Sequence, residues 1–262
     1  MGAGSVWVVS YDFGGVVRVD PRTNRVVARI KTGRGPIGAT FGAGSVWVAN
    51  WLEDTVSRID PGTGRPIAKI KVSGHGPEGM AFGAGAVWVS DKSGSVSRID
   101  PSTNREVALI QAGPEPRYLT VAAGSVWVTS FDSFSVRRID PRTNRVTAKI
   151  VVGSGPQGIV GDARAVWVGN DVEQTLVRLD PETGKVVGRT PLPDGAEGLA
   201  SDGRSLWIAG NGAGTVVRID ERTGKVTGRT KVGSEPRGIA FGFGSAWTAN
   251  SLDGTVSRVD GS

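Results

Sequence analysis

Seven of the eight tryptophans return at a nearly constant interval: Trp7, Trp47, Trp88, Trp127, Trp167, Trp207 and Trp247, separated by 40, 41, 39, 40, 40 and 40 residues. Each stands in the same setting, with a small and then an apolar residue before it and a small or apolar residue after it. So regular a period marks a structural unit repeated along the chain, and the fold must be an array of such units.

One unit runs from Gly33 to Val72 and divides into four short segments between turn signals. Segment A is Gly35-Pro36-Ile37-Gly38-Ala39-Thr40-Phe41 and B is Ser45-Val46-Trp47-Val48-Ala49-Asn50. C is Thr55-Val56-Ser57-Arg58-Ile59-Asp60 and D is Arg65-Pro66-Ile67-Ala68-Lys69-Ile70-Lys71. All are rich in Val, Ile, Thr or Trp, and none is long enough for a helix of three turns. Between C and D lies Asp60-Pro61-Gly62-Thr63-Gly64, repeated as Asp20-Pro21-Arg22-Thr23-Asn24 and Asp180-Pro181-Glu182-Thr183-Gly184. Pro presets the first corner of a type I turn, Asp accepts backbone N–H groups across it, and Gly or Asn takes a left-handed bulge position. Four antiparallel strands per ~40 residues is the period of a β-propeller blade, whereas solenoids of this period are usually helical.

The chain holds six A, seven B, seven C and six D segments, beginning at a B strand and ending at a C strand. Seven full blades would need roughly 280 residues at ~40 each, so the 262 present are short by about one A and one D. The reading is one all-β propeller domain over residues 1–262, starting and ending mid-blade, with seven blades of which two are three-stranded. Its alternative is a six-bladed propeller with a spare Trp-bearing hairpin, swapped into a neighbouring molecule. Burying a large aromatic is worth roughly 2–3 kcal/mol, so an orphaned hairpin is disfavoured. The ends read as cut from a longer chain or engineered.

Val46-Trp47-Val48-Ala49-Asn50 followed by Thr55-Val56-Ser57-Arg58-Ile59-Asp60-Pro61 resembles the YVTN-type repeat. Gly35-Pro36-Ile37-Gly38 and Gly76-Pro77-Glu78-Gly79 are similar to the first strand of that family and of the related NHL repeats. The resemblance spans essentially the whole chain and implies a propeller fold, which hosts binding, scaffolding, sensing and occasional catalysis. An enzymatic relative, virginiamycin B lyase, depends on histidine, glutamate and a divalent metal. The single histidine here, His75, cannot supply a two-histidine site, so no residue is carried over as catalytic.

Composition narrows the function classes. With no cysteine, disulfides, zinc–thiolate sites and thiol catalysis are excluded. No apolar run approaches the ~18–20 residues of a membrane span. Met1-Gly2-Ala3-Gly4-Ser5-Val6 lacks a signal-peptide pattern and, with Val at position 6, the myristoylation pattern. A leader or anchor would have to lie outside this stretch, and the compartment stays open, extracytoplasmic placement within a longer chain included. The net charge of +6 could attract nucleic acid or anionic lipid. Much of it falls on D strands (Arg29, Lys31, Lys69, Lys71, Lys149, Arg189, Arg229, Lys231), where cations protect an outer sheet edge, and few aromatics interleave it, so nucleic acid is not expected. Every C strand carries Arg two residues before Asp, from Arg18 and Asp20 to Arg258 and Asp260. That spacing puts both on one strand face and predicts an Arg–Asp pairing between blades, with Asp also serving the turn.

Individuality is concentrated in the B–C and D–A loops, which leave a propeller on one side. Tyr11, Trp51 and Phe131 are aromatics outside the blade pattern and read either as recognition groups or as covers for blade ends. Before the second glycine of strand A stand Ile37, Glu78, Arg117, Gln157, Glu197 and Arg237, expected to ring the mouth of the channel as a self-neutralised collar or a polar ligand pocket. Tyr118 replaces that glycine in its own blade, which makes Arg117 and Tyr118 the leading contact candidates. The ligand-binding set is therefore Arg117, Tyr118, Trp51, Glu78, Gln157, Glu197, Arg237 and Phe131, with no catalytic residue, metal ligand or cofactor expected.

The function expected is a non-enzymatic binding or interaction propeller, a sensory or recognition module of a larger protein. Its partner would be a protein, peptide or small molecule on the B–C/D–A side, and its state a monomer or a hairpin-swapped oligomer. One alternative is a lyase- or hydrolase-like enzyme acting at the channel mouth. The other is an engineered or truncated scaffold with no ligand.

Overall fold

In the computed structural model, which describes residues 1–261, all four segments of the repeat are strands, and no helix occurs among the described residues. The first sheet joins β1 (Val6–Ser10), β2 (Gly15–Asp20) and β3 (Arg25–Lys31). The second is β4 (Pro36–Gly42), β5 (Ser45–Asn50), β6 (Thr55–Ile59) and β7 (Pro66–Lys71). The third is β8 (Pro77–Gly83), β9 (Ala86–Asp91), β10 (Ser95–Asp100) and β11 (Arg105–Gln111). The fourth holds β12 (Pro116–Ala122), β13 (Ser125–Ser130), β14 (Ser135–Asp140) and β15 (Arg145–Val151). The fifth holds β16 (Pro156–Gly161), β17 (Val166–Asn170), β18 (Thr175–Leu179) and β19 (Val186–Pro191). The sixth holds β20 (Gly198–Ser201), β21 (Ser205–Gly210), β22 (Thr215–Asp220) and β23 (Val226–Lys231). The last joins β24 (Pro236–Gly242), β25 (Ser245–Asn250) and β26 (Thr255–Asp260). The fold is an all-β propeller of seven blades, three-stranded in the first and last and four-stranded in the other five, and the six-bladed alternative falls.

The C–D turn is built as its residues require. Asn24, Gly64, Asn104, Asn144, Gly184 and Gly224 have φ between 54° and 70°. The Asp60 carboxylate accepts the Thr63 N–H at 2.6 Å, and the ladder shifts register between Arg58 and Ile59 to admit the bulge. The left-handed residue is Gly or Asn because those two tolerate that conformation most cheaply.

Two compact units are distinguishable: Met1–Val128 with Arg138–Thr147, and Thr129–Arg137 with the chain from Ala148 onward. In the first, Trp47, Ala49 and Val56 of one blade meet Val87, Val89 and Ile99 of the next, and Trp88 meets Val126, Val128 and Ile139. In the second, Trp167 and Leu176 meet Leu206, Ile208, Val217 and Ile219. B strands are covered on both faces by this blade-on-blade packing, which is why they read as unbroken small and apolar runs without alternation. Each fully buried Trp contributes roughly 2–3 kcal/mol by area. Its indole N–H is satisfied locally, as when Trp47 donates to the Gly42 carbonyl at 2.9 Å and Trp88 to that of Gly83 at 3.0 Å.

The repeated Arg differs from its expected role. Its guanidinium lies over the Trp of its own blade, 4.8 Å from the ring centre for Arg58 on Trp47 and 5.2 Å for Arg98 on Trp88. From there it reaches the following blade: Arg58 Nη1 donates to the Pro101 carbonyl at 2.6 Å and to Asn104 Oδ1 at 2.8 Å, and Arg98 does the same with Pro141 and Asn144. The contact between blades is present, but it runs to backbone carbonyls and Asn. Asp20, Asp60 and Asp100 turn away to cap their own turns, which demand a carboxylate more locally. In the last blade Arg258 does stand 3.2 Å from Asp260.

The second glycine of strand A is explained by proximity. Within the first unit, a Cβ at Gly38 would overlap the Glu78 carbonyl oxygen and one at Gly79 that of Arg117; within the second, Gly198 meets the Arg237 carbonyl in the same way. Neighbouring A strands approach too closely for a side chain between them.

Candidate functional site

In several blades an acid of the B–C loop holds the neighbouring D–A loop. Glu173 accepts the Ser154 N–H at 2.9 Å and Asp253 the Ser234 N–H at 2.5 Å. Asp54 accepts the Gly76 N–H at 2.9 Å, and this bond, helped by His75 and Lys71, holds its carboxyl below the usual carboxylate range. Lys69 bonds Glu53 directly and, with Arg34 at 3.5 Å, keeps that carboxyl ionised, its pKa lowered. D-strand cations are thus partly neutralised by loop acids of their own blade, Arg189 by Glu173 at 3.5 Å for instance.

Between the first two blades these loops leave a cleft of about 660 Å³. Tyr11, Phe13 and Leu52 supply its apolar surface, and Lys31, Arg34 and Lys69 its cations, against Asp12 and Glu53. Lys31 caps the Phe13 carbonyl and lies 4.2 Å from the centre of the Phe13 ring. Tyr11 is half exposed and unconstrained by the repeat. The cleft is an amphipathic groove with an aromatic wall and net positive charge.

The A-strand residues form two clusters, one in each unit. In the first, Arg117 is held by Glu78 at 3.2 Å and by Glu115 at 2.6 Å, with Glu78 only 8% exposed. Burial opposes the Arg117 charge, but the two carboxylates outweigh it and raise its pKa above the ordinary value. In the second, Arg237 lies 3.3 Å from both Glu197 and Glu235, and Asn211 donates to Glu197 at 3.0 Å. Glu197 is 6% exposed; burial pushes its carboxyl up, Arg237 pulls it down, and Asp171 adds to the rise.

Glu115 and Glu235 escape a reading of the strand positions alone. Each sits in the left-handed region, φ 46° and 52°, where the matching loop residues Gly35, Gly76 and Gly155 have φ 62° to 68°. Two blades thus place an acid where the backbone favours glycine. The signal was a tripeptide, Glu115-Pro116-Arg117, returning as Glu235-Pro236-Arg237. With these acids each cluster carries more carboxylates than arginines, so the charges do not cancel.

Of the other candidates, Tyr118 follows Arg117 in β12 and acts on its charge. Trp51 is half-buried beneath Lys92 Nζ at 5.0 Å, and its indole N–H is buried without a hydrogen-bond partner. Tyr118 and Phe131 are half-buried, and Gln157 lends its carbonyl to the Thr129 hydroxyl at 2.9 Å. Among the described residues no group of three or more His, Cys, Asp or Glu is placed to hold a metal.

Comparisons with known proteins address the fold. A family model described as outer membrane protein assembly factor BamB matches residues 172–262. No curated protein matches in sequence. Among solved structures, the chain is similar to hydrazine synthase of Kuenenia stuttgartiensis, with TM-score 0.86 and 19% identity over 98% of this chain and 92% of that one. It is also similar to virginiamycin B lyase of Staphylococcus aureus, with TM-score 0.84 and 16% identity over 99% and 92%. A third match is the computationally designed protein Ika8, with TM-score 0.75 and 15% identity over 99% and 94%. The chain is a β-propeller repeat protein.

Proposed function

We propose that this propeller is a non-enzymatic binding module whose ligand enters the cleft between its first two blades. The cleft itself carries the reading: an aromatic and aliphatic wall from the loop residues Tyr11, Phe13 and Leu52 beside Arg34 and the D-strand lysines Lys31 and Lys69. Such a surface suits a small molecule or peptide end with an apolar body and a carboxylate, since ring faces and ammonium groups are placed side by side. The repeat itself is of the YVTN/NHL type on this reading, on the strength of its B and C strand sequence.

The test is a melting screen with aromatic carboxylates, short acidic peptides, sugars and metals, because a ligand of the native state raises the midpoint. Aromatic carboxylates or acidic peptides should raise it, and Tyr11→Ala with Lys31→Ala should weaken them about tenfold, roughly 1.4 kcal/mol, without lowering the unliganded midpoint. No shift from any class favours the bare scaffold. A second reading rests on Glu197, a buried carboxyl with a raised pKa, the environment of a proton-handling acid in a lyase- or hydrolase-like enzyme. A turnover that Glu197→Gln abolishes would favour that reading.

A further inference from the structure

The D strands share one safeguard, and one of them lacks it. Each ends its sheet, where an uncovered strand edge can join another sheet unless charge prevents it. Arg29, Lys69, Lys149, Arg189 and Arg229 stand at one position of five such strands, and the sixth, β11, has Leu109 there. Two residues on, β3, β7 and β23 add Lys31, Lys71 and Lys231, whereas β11 has Gln111. The face that β11 turns to solvent is Arg105, Val107, Leu109 and Gln111, with Val107 53% and Leu109 42% exposed.

This edge belongs to a complete blade. β11 pairs with β10 on one side, and the chain then leaves it for β12 in the next blade. The Ala112 N–H turns inward to the Gly94 carbonyl at 2.9 Å, so by strand alternation those of Leu109 and Gln111 turn outward. On the inward face Glu106 accepts the Ser73 hydroxyl at 2.5 Å and the Ser97 hydroxyl at 2.6 Å, and Ile110 is buried. The outward face therefore carries two apolar side chains, one cation and one amide.

Self-pairing separates β11 from its counterparts. An antiparallel copy turned about Ala108 puts Arg105 opposite Gln111 and Val107 opposite Leu109 of the second copy. The guanidinium meets an amide oxygen that accepts from it, the apolar side chains cover each other, and no like charges face. The same operation on β3 sets Arg25 against Lys31, and on residues 65–71 it sets Arg65 against Lys71 and Ile67 against Lys69. β19 ends in Pro191, which has no N–H to give.

We propose that β11 is a dimerisation edge, through which two copies of this chain join their third blades into one continuous eight-stranded sheet. A strand of 7 residues offers less than the roughly 1,200–2,000 Å² of a standard interface, so the dimer is a weak one that forms at micromolar concentration.

Sedimentation equilibrium of the full chain, from micromolar to near-millimolar concentration, reads the assembly, and a monomer–dimer equilibrium is expected. Leu109→Lys restores the repeat's cation at an exposed position; it should raise Kd about tenfold or more and leave the melting point of the dilute chain in place. Gln111 tests the register. Gln111→Lys, set against Arg105, should weaken the dimer, and Gln111→Glu should tighten it. A chain that stays monomeric overturns the proposal, whether or not an unrelated extended peptide can occupy the edge. So does a dimer that Leu109→Lys leaves intact, since it would use another surface. A dimer on which both Gln111 changes act alike would be plain apolar adhesion, and that outcome overturns the paired strands as well.

Discussion

The tryptophan of each B strand is where one residue carries most weight. Trp88 has no exposed surface, stacks under Arg98 and packs into the next blade, so Trp88→Ala should cost about 3–5 kcal/mol in denaturant unfolding. The paired glycine experiment separates close approach from propensity. Gly38→Ala places a Cβ against the Glu78 carbonyl and should destabilise by about 1–3 kcal/mol, as overpacking does. At Gly238 an added Cβ meets nothing within 4 Å, so Gly238→Ala should be near neutral. Equal effects at the two sites would show that crowding between A strands is not the reason for the glycine. Glu115 stands in the left-handed region, φ 46°, at a loop position where other blades have glycine. Glu115→Gly relieves about 1 kcal/mol of backbone strain and should leave stability unchanged or higher while weakening the hold on Arg117. A large loss of stability would make Glu115 a structural residue.

At the scale of elements, the C–D turn repeats a single device. Asp60, Asp100 and Asp180 all accept turn N–H groups, chiefly those of residues two or three positions on, and their carboxyls lie below the usual value of 3.8. A carboxyl depressed in the folded state adds stability above its unfolded pKa, and that part is lost as pH falls through the folded value. Acid unfolding should therefore steepen below about pH 4, and Asp60→Asn should blunt that steepening in a melting series; an unchanged acid limb would exclude the turns as its source. The turns and strand order were legible because each depends on residues adjacent in sequence: Asp-Pro at the corner and Gly or Asn at the bulge. The partner of the C-strand Arg was not legible. Spacing put Arg58 and Asp60 on one face, yet the indole of Trp47 and the Pro101 carbonyl of the next blade outcompete that carboxylate.

For the molecule as a whole, the buried carboxyl of Glu197 sets an opposite pH trend. Its folded pKa lies above the ordinary 4.5, so the folded state holds the proton more tightly and stability falls as pH rises through the window starting near that value. Glu197→Gln should flatten the decline in melting temperature between about pH 4.5 and neutrality; an unaltered profile would show that Glu197 ionises without cost.

Sequence alone determined the repeat and the four-strand unit and favoured seven blades with incomplete first and last sheets over six, a choice that the seven sheets of the structure decided. Those features follow from local turn chemistry and from a period that every unit obeys. It also brought out Glu78, Arg117, Glu197 and Arg237 as departures from the repeat. Tertiary structure decided which of them meet, that Glu115 and Glu235 join them, and that Tyr11, Phe13 and Leu52 share one cleft. Those outcomes depend on how neighbouring blades pack and on single φ values in loops, neither of which leaves a periodic trace in the chain.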